Sequence, residues 1–111
     1  MKHKWNIDQE KQHKSYLKRK YGLSKEAYIA LYDKQNGLCA ICGNPLELWK
    51  PHAKISKSII AHVDHDHTTK RIRGLLCHHC NNGLGCFRDS THILREAILY
   101  LMQGGNNAFH E

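Results

Sequence analysis

At 111 residues the chain is long enough for one small domain and too short to bury a large core. It carries a formal charge of +7, which favours a polyanionic partner, and no run approaches the ~20 apolar residues of a membrane span, which argues against a membrane role. The opening MKHKWNIDQEKQHK has no apolar core of the kind a secretory signal needs, so the five cysteines are expected in a reducing, cytoplasmic setting, where Cys-x-x-Cys pairs read as metal ligands rather than disulfides.

The positive charge is concentrated early. Through Lys25 there are eight Lys/Arg against two Asp/Glu, a block suited either to DNA phosphates or to a solvated helix face. Residues from Asp8 to Lys20 contain no Gly or Pro, and Tyr16, Leu17 and Tyr21 are their main large apolar groups. That pattern predicts a basic, largely exposed helix with Asp8 as N-cap and Gly22 as its end. Ser24 then caps a second helix with an apolar stripe of Ala27, Tyr28, Leu31 and Tyr32, and Gly37 is placed to stop it at C′.

Cys39 and Cys42 bracket a tight turn that Gly43, Asn44 and Pro45 continue, the shape of a zinc knuckle. The stretch from Glu47 to Ser58 reads as a loop containing Trp49 and His52; Trp49 suits either a lid on a small core or a base-stacking surface. Ile59 to Val63 is expected as a strand, Thr68-Thr69-Lys70 as a turn and Arg71 to Leu76 as the returning strand of a hairpin. Regular alternation would put Arg71 and Arg73 on one face as phosphate ligands. A helix is expected from Cys80 to Phe87, loosened by Gly83 and Gly85. The last helix starts near Asp89-Ser90, with Asp89 as its cap, and Ile93, Leu94, Ala97, Ile98, Leu101 and Met102 recur at helical spacing as a core stripe that Gly104-Gly105 closes.

Cys39-x-x-Cys42 and Cys77-x-x-Cys80 together supply four thiolates, the donor set of a closed tetrahedral zinc site, and a site so filled is structural. Cys86 is left over as a packed thiol. Between the pairs lies His62-Val63-Asp64-His65-Asp66-His67, and Asn81 follows Cys80 directly. A carboxylate such as Asp64 suits a hard ion such as Mg²⁺, a neutral imidazole such as His65 suits taking a proton from water, and the Asn81 amide oxygen suits a second ligand position. Asp66 fits a turn better than a ligand position.

These residues, continued by Arg73-Gly74-Leu75-Leu76-Cys77-x-x-Cys80-Asn81 and Gly83-Leu84-Gly85-x-Phe87-x-Asp89, resemble the recombination endonuclease VII family, a zinc-stapled branch of the HNH, or ββα-metal, nucleases. The resemblance implies an α+β fold: a basic helical arm over 1–23, a nuclease domain with N-terminal helices, a ββα centre and a C-terminal helix over 24–105, and a flexible tail over 106–111. It implies a phage- or bacterium-encoded enzyme, monomer or homodimer, that hydrolyses DNA phosphodiesters by nicking or double-strand cleavage. In that reading Asp64 and Asn81 hold a catalytic Mg²⁺ or Mn²⁺, and His65 is the general base. His67 sits beside the scissile phosphate as a contact or proton donor, as does His62. Lys14, Lys18, Arg19, Lys20, Lys70, Arg71 and Arg73 are the further DNA-contact candidates. The competing readings are a noncatalytic zinc-finger DNA-binding module, which needs the thiolates and the charge but not Asp64, His65 or Asn81, and an RNA-cutting HNH nuclease.

If the early lysines touch phosphate, deleting residues up to Lys14 will lower the slope of log affinity against log salt by roughly 0.9 for each phosphate no longer neutralised, measured by DNA titration at several salt concentrations. An unchanged slope would show that this segment does not touch phosphate.

Overall fold

The protein is described by a computed structural model covering residues 16–51 and 53–104. The expected Asp8 cap, Lys14, His52 and the tail lie outside the described residues. The chain forms two compact units, Met1–Asn81 and Asn82–Glu111. Its class is α+β: among the described residues there are helices, one two-stranded antiparallel sheet and a cluster of four cysteines.

In the first unit, helix α1 (residues 16–21 of the described part) ends at Gly22, whose left-handed φ of +67° turns the chain so that its N–H bonds the Lys18 carbonyl at 2.8 Å. Leu17 and Leu23, either side of that turn, are both buried. Helix α2 (Lys25–Lys34) begins where Ser24, in extended conformation, accepts a bond from the Ala27 N–H at 3.0 Å, which answers one of the orphan donors of the first turn. Its end is a Schellman motif one residue earlier than expected. Asn36 is the C′ residue at φ +56°, and the Gly37 N–H reaches back to the Tyr32 carbonyl at 2.9 Å. A Cβ at Gly37 would sit 3.0 Å from the Tyr32 hydroxyl, so the close approach and the positive φ both require glycine there.

Tyr28 anchors the small core. Fully buried on α2, it donates its hydroxyl to the Ala61 carbonyl at 2.8 Å and accepts from the Trp49 N–H at 2.8 Å. Burial pushes the Tyr28 hydroxyl far above its usual range, which keeps it a neutral donor at any ordinary pH. Leu46, Leu48, Ala61, Val63, Leu75 and Leu76 are also buried. Trp49 is half-buried with its ring 5.1 Å from that of Tyr16, where it caps this core.

The hairpin departs from expectation at its first strand. Strand β1 is His62–His65, not Ile59–Val63, and β2 is Ile72–Leu76. Ile59 and Ala61 are committed elsewhere: the Glu47 N–H bonds the Ile59 carbonyl at 2.7 Å and the Ala61 N–H bonds the Glu47 carbonyl at 2.8 Å, a parallel bridge to the chain leaving the knuckle. The polar HVDH segment therefore carries the antiparallel pairing, His62 with Leu76, Val63 with Leu75, Asp64 with Gly74 and His65 with Ile72. Between the last two pairs the register shifts, and Arg73 is the extra residue of a β-bulge. Regular alternation of Arg71 and Arg73 is thereby broken, and Arg71 lies outside β2.

Helix α3 (His78–Cys86) starts before the expected Cys80 and runs through Gly83 and Gly85 without a break. In the second unit, helix α4 (Thr91–Gln103) is capped by Ser90, which accepts from the Ile93 N–H at 3.0 Å. Asp89, expected as the cap, instead adopts φ +53° in the preceding turn. Helical spacing predicts that the apolar stripe of α4 is core, yet no α4 residue is buried, and Ile98, Leu101 and Met102 are among its exposed groups. Periodicity finds the helix, but a unit of this size offers it little apolar surface to cover.

Replacing Tyr28 by Phe would strand the Ala61 carbonyl and the Trp49 N–H together, at a cost of about 1–3 kcal/mol. Chemical denaturation should show the midpoint falling with an unchanged m-value.

Candidate active site

Four sulfurs converge at the foot of α3. The Sγ atoms of Cys39, Cys42, Cys77 and Cys80 all lie within 4.8 Å of one another, and Cys42 and Cys77 are 3.8 Å apart. A tetrahedral zinc with ~2.3 Å bonds to sulfur has sulfur–sulfur edges of roughly 3.8 Å, so the donor set and its spacing fit Zn²⁺. Local structure aims the sulfurs. Cys39 donates its N–H to the Asn44 carbonyl at 2.8 Å and accepts the Gly43 N–H at 3.1 Å, which folds the knuckle tightly. The N–H groups of Cys77 and Cys80 point at the sulfurs of Cys39 and Cys77, each at 3.4 Å. Burial pushes the Cys39 thiol up, but surrounding backbone N–H donors outweigh it and bring it down to about 6, whereas burial and the neighbouring sulfurs raise Cys80. A bound cation resolves that competition by favouring thiolates at every position. Cys86, expected to be packed, is exposed.

The knuckle is docked on the hairpin by a side chain that sequence reasoning misses. Gln35, just past α2, donates its amide to the Leu38 and Leu75 carbonyls at 2.8 and 3.0 Å, while its side-chain oxygen accepts the Leu75 N–H at 2.9 Å. Gly74 lies close beneath, where a Cβ would come within 3.1 Å of that oxygen. The Ala40 N–H adds a bond to the Leu75 carbonyl at 3.2 Å. Nothing in the local pattern around Gln35 distinguishes it from an ordinary polar residue at a helix end.

Asp64 and His65 diverge on β1, as neighbours on a strand should. Asp64 is buried, 8% exposed, and both of its oxygens are held by Arg73: Nε donates to Oδ2 at 2.8 Å and Nη2 to Oδ1 at 3.1 Å. The bulge sends Arg73 to this carboxylate, so the structure brings together two residues that the sequence pattern assigns separately, one to ion binding and one to DNA. His65 faces the other way, its ring 5.5 Å from Tyr21 on α1 and 4.7 Å from His67. Asp66 is a turn residue: Oδ1 accepts the Thr68 and Thr69 N–H groups at 2.8 and 2.9 Å, and those bonds hold its carboxyl below the usual range.

His62, which shares a strand face with Asp64, bonds through Nε2 to the Lys57 carbonyl at 3.1 Å. Its ring lies 5.8 Å from that of His78 at the start of α3, and His78 lies 5.7 Å from His79. Desolvation and the nearby Lys57 and His62 lower the His78 imidazole from its usual value. Asn81 is one helical turn beyond His78, on the same side of α3, and its N–H bonds the Cys77 carbonyl at 3.0 Å. Among the other DNA-contact candidates, Lys18, Arg19, Lys20, Lys70 and Arg71 are exposed. Lys20 donates to the Tyr16 hydroxyl at 3.2 Å and sits 5.4 Å from the Tyr21 ring centre.

A family model described as recombination endonuclease VII matches residues 14–103, most of the chain. The chain belongs to the recombination endonuclease VII family. Among curated relatives, the Gene 59 protein of Mycobacterium phage D29 is 42% identical over 82 residues, covering 73% of this chain and 44% of the relative. The Gene 59 protein of Mycobacterium phage L5 is 39% identical over 83 residues, covering 74% of this chain and 45% of its own length. This endonuclease VII family chain thus spans less than half the length of the phage proteins it matches. Among its described residues, no helix is long and apolar enough to cross a membrane.

If the four thiolates hold zinc, stripping it with a chelator should abolish cooperative unfolding, because structural zinc contributes roughly 10–16 kcal/mol in small zinc-folded peptides, comparable with the whole stability of a small domain. Circular dichroism melts with and without added Zn²⁺ would show it, and Cys80→Ser should behave like the stripped protein.

Proposed function

We propose that the protein is a metal-dependent DNA endonuclease of the HNH, or ββα-metal, type, which hydrolyses phosphodiester bonds by nicking or double-strand cleavage. The observation that carries this reading is the succession of hairpin and helix about a four-cysteine clamp, with a buried carboxylate, Asp64, next to an imidazole, His65, and with Asn81 in the first turn of the clamped helix. Family membership supports DNA as the polymer.

In this mechanism neutral His65 takes a proton from a water whose oxygen attacks the phosphorus. The bond from phosphorus to the 3′ oxygen breaks, and that oxygen leaves with a proton from water or from His67, giving a 5′-phosphate and a 3′-hydroxyl. Asp64 and Asn81 are the residues that would hold Mg²⁺ or Mn²⁺, which would supply Lewis-acid polarisation of the phosphoryl oxygen and charge stabilisation at the leaving oxygen. Their hard oxygens suit such an ion. The approach of His62 to His78 supports the pairing, since Asp64 follows on the same strand face and Asn81 on the same helix side. A zinc held by all four thiolates of Cys39, Cys42, Cys77 and Cys80 would be structural, since no position would be left for water. His62, Lys18, Arg19, Lys20, Lys70 and Arg71 serve as phosphate contacts and hold the strand in register without reading sequence.

Nicking of supercoiled plasmid with Mg²⁺ tests the reading. His65→Ala should lose at least ~100-fold in rate, the usual worth of a positioned general base. Asp64→Ala and Asn81→Ala should fall similarly, with zinc content and DNA affinity retained. Wild-type protein that binds DNA but never cuts with any divalent ion would leave only a binding module, and cleavage confined to RNA would reassign the polymer.

A further inference from the structure

We propose that Arg73 is a phosphate-responsive counterion of Asp64, so that the divalent ion loads at Asp64 only once a DNA phosphate has drawn the guanidinium away. The inference rests on the reading of Asp64 as an ion ligand and adds to it an order of events and a residue that enforces it.

The carboxylate of buried Asp64 needs a cation beside it, because a buried uncompensated charge is costly. In the free protein that cation is Arg73, whose fork engages both oxygens at 2.8 and 3.1 Å. A divalent ion on the remaining lone pairs would lie against a fixed positive group within a few ångströms, in surroundings that screen charge poorly. Guanidinium and metal are thus alternative partners of one carboxylate. Arg73 is also able to leave. Its side chain is 38% exposed against 11% for that of Asp64, so one end of the pair faces solvent. It sits at a β-bulge, where the register of the two strands shifts. A phosphate presents the same planar fork geometry as a carboxylate with more negative charge, so a backbone phosphate arriving at the hairpin competes directly for Arg73. Asp66 sits near the same guanidinium, but its carboxylate oxygen is engaged by the turn N–H groups of Thr68 and Thr69.

Arg73 is therefore a positioning residue that acts through Asp64. It keeps the site closed to ions in the absence of substrate and couples ion affinity to DNA affinity, reciprocally.

The test measures Mn²⁺ binding by electron paramagnetic resonance to zinc-loaded, full-length protein carrying His65→Ala to prevent cleavage, with and without a short DNA duplex, after subtraction of Mn²⁺ held by duplex alone. With Arg73 present, the duplex should tighten Mn²⁺ binding by roughly tenfold or more, within the usual range of site-to-site coupling. Arg73→Gln should bind Mn²⁺ more tightly than its parent in the absence of DNA, and the duplex should then change its affinity by less than about twofold. If Arg73→Gln melts out, Arg73→Lys, which keeps charge but loses the fork, should show a weaker resting block with the DNA effect retained in part. Equal affinity with and without duplex in the parent would overturn the proposal. So would weaker binding in Arg73→Gln, which would make Arg73 an orienting group for a carboxylate already open to ions. Adding Asp64→Ala separates the two levels: if it leaves Mn²⁺ binding unchanged, the ion is not on Asp64 and the site reading fails with the proposal. If it abolishes binding while the parent and Arg73→Gln bind Mn²⁺ alike, only the coupling fails.

Discussion

Four sulfurs contributed by two distant turns are the constraint through which this small chain becomes a defined structure. Cys42 and Cys77 are separated by 35 residues, and the segment between them contains the whole hairpin. A metal closing that segment would remove much of its unfolded freedom, which a modest core alone does not offset. The clamp also has a direction. One pair of thiols sits on the knuckle, the other spans the step from β2 into α3, so the sulfurs set where the first turn of α3 stands relative to the strands. Asn81 inherits its position from that arrangement.

The hairpin is an unusual place to invest stability. Two strands of four and five residues are marginal by themselves, and β1 is mostly polar. It is held from outside its own ladder. Gln35 clasps both backbone groups of Leu75, Tyr28 fixes Ala61 just ahead of β1, and the Tyr32 hydroxyl donates to the Leu46 carbonyl at 2.7 Å to tie the exit of the knuckle to α2. Each is a side chain from the segment around α2 that satisfies backbone groups in a neighbouring element. A short strand can then carry polar residues such as Asp64 and His65, which contribute little packing, because its neighbours hold it.

What can be read in the sequence is whatever depends on local rules. Cysteine spacing locates the clamp, Ser24 announces the start of α2, and the glycines after α1 and α2 mark turns whose left-handed backbone is visible in residue type alone. Asp66 as a turn residue follows the same logic. The errors share a different cause. Residue type puts the first strand on the β-branched Ile59–Val63, yet Glu47 claims that segment and the pairing passes to HVDH, a decision made by a residue twelve or more positions away. The bulge at Arg73 is likewise invisible to alternation, since it arises from the register of two strands. For α4, helical spacing tells truly of a helix but says nothing of whether a second apolar surface exists to meet it. The family resemblance reaches further than periodicity because it rests on the order of ligand types along the chain, which survives such shifts.

The bulge and the ion pair it creates illustrate why a local exception to strand geometry falls where it does. In a regular ladder Arg73 would have a partner on β1 and would alternate with Arg71, leaving the Asp64 carboxylate buried without a fixed cation. A buried carboxylate with no cation beside it is costly and would open the strand to water. One extra residue in β2 solves this by delivering a guanidinium to both oxygens while Gly74, the next residue, stays small enough for Gln35 to approach. The irregularity costs a little pairing in a sheet that has little to spare. In return, the buried Asp64 carboxylate meets a cation on both of its oxygens, delivered by the strand that runs on into the clamp.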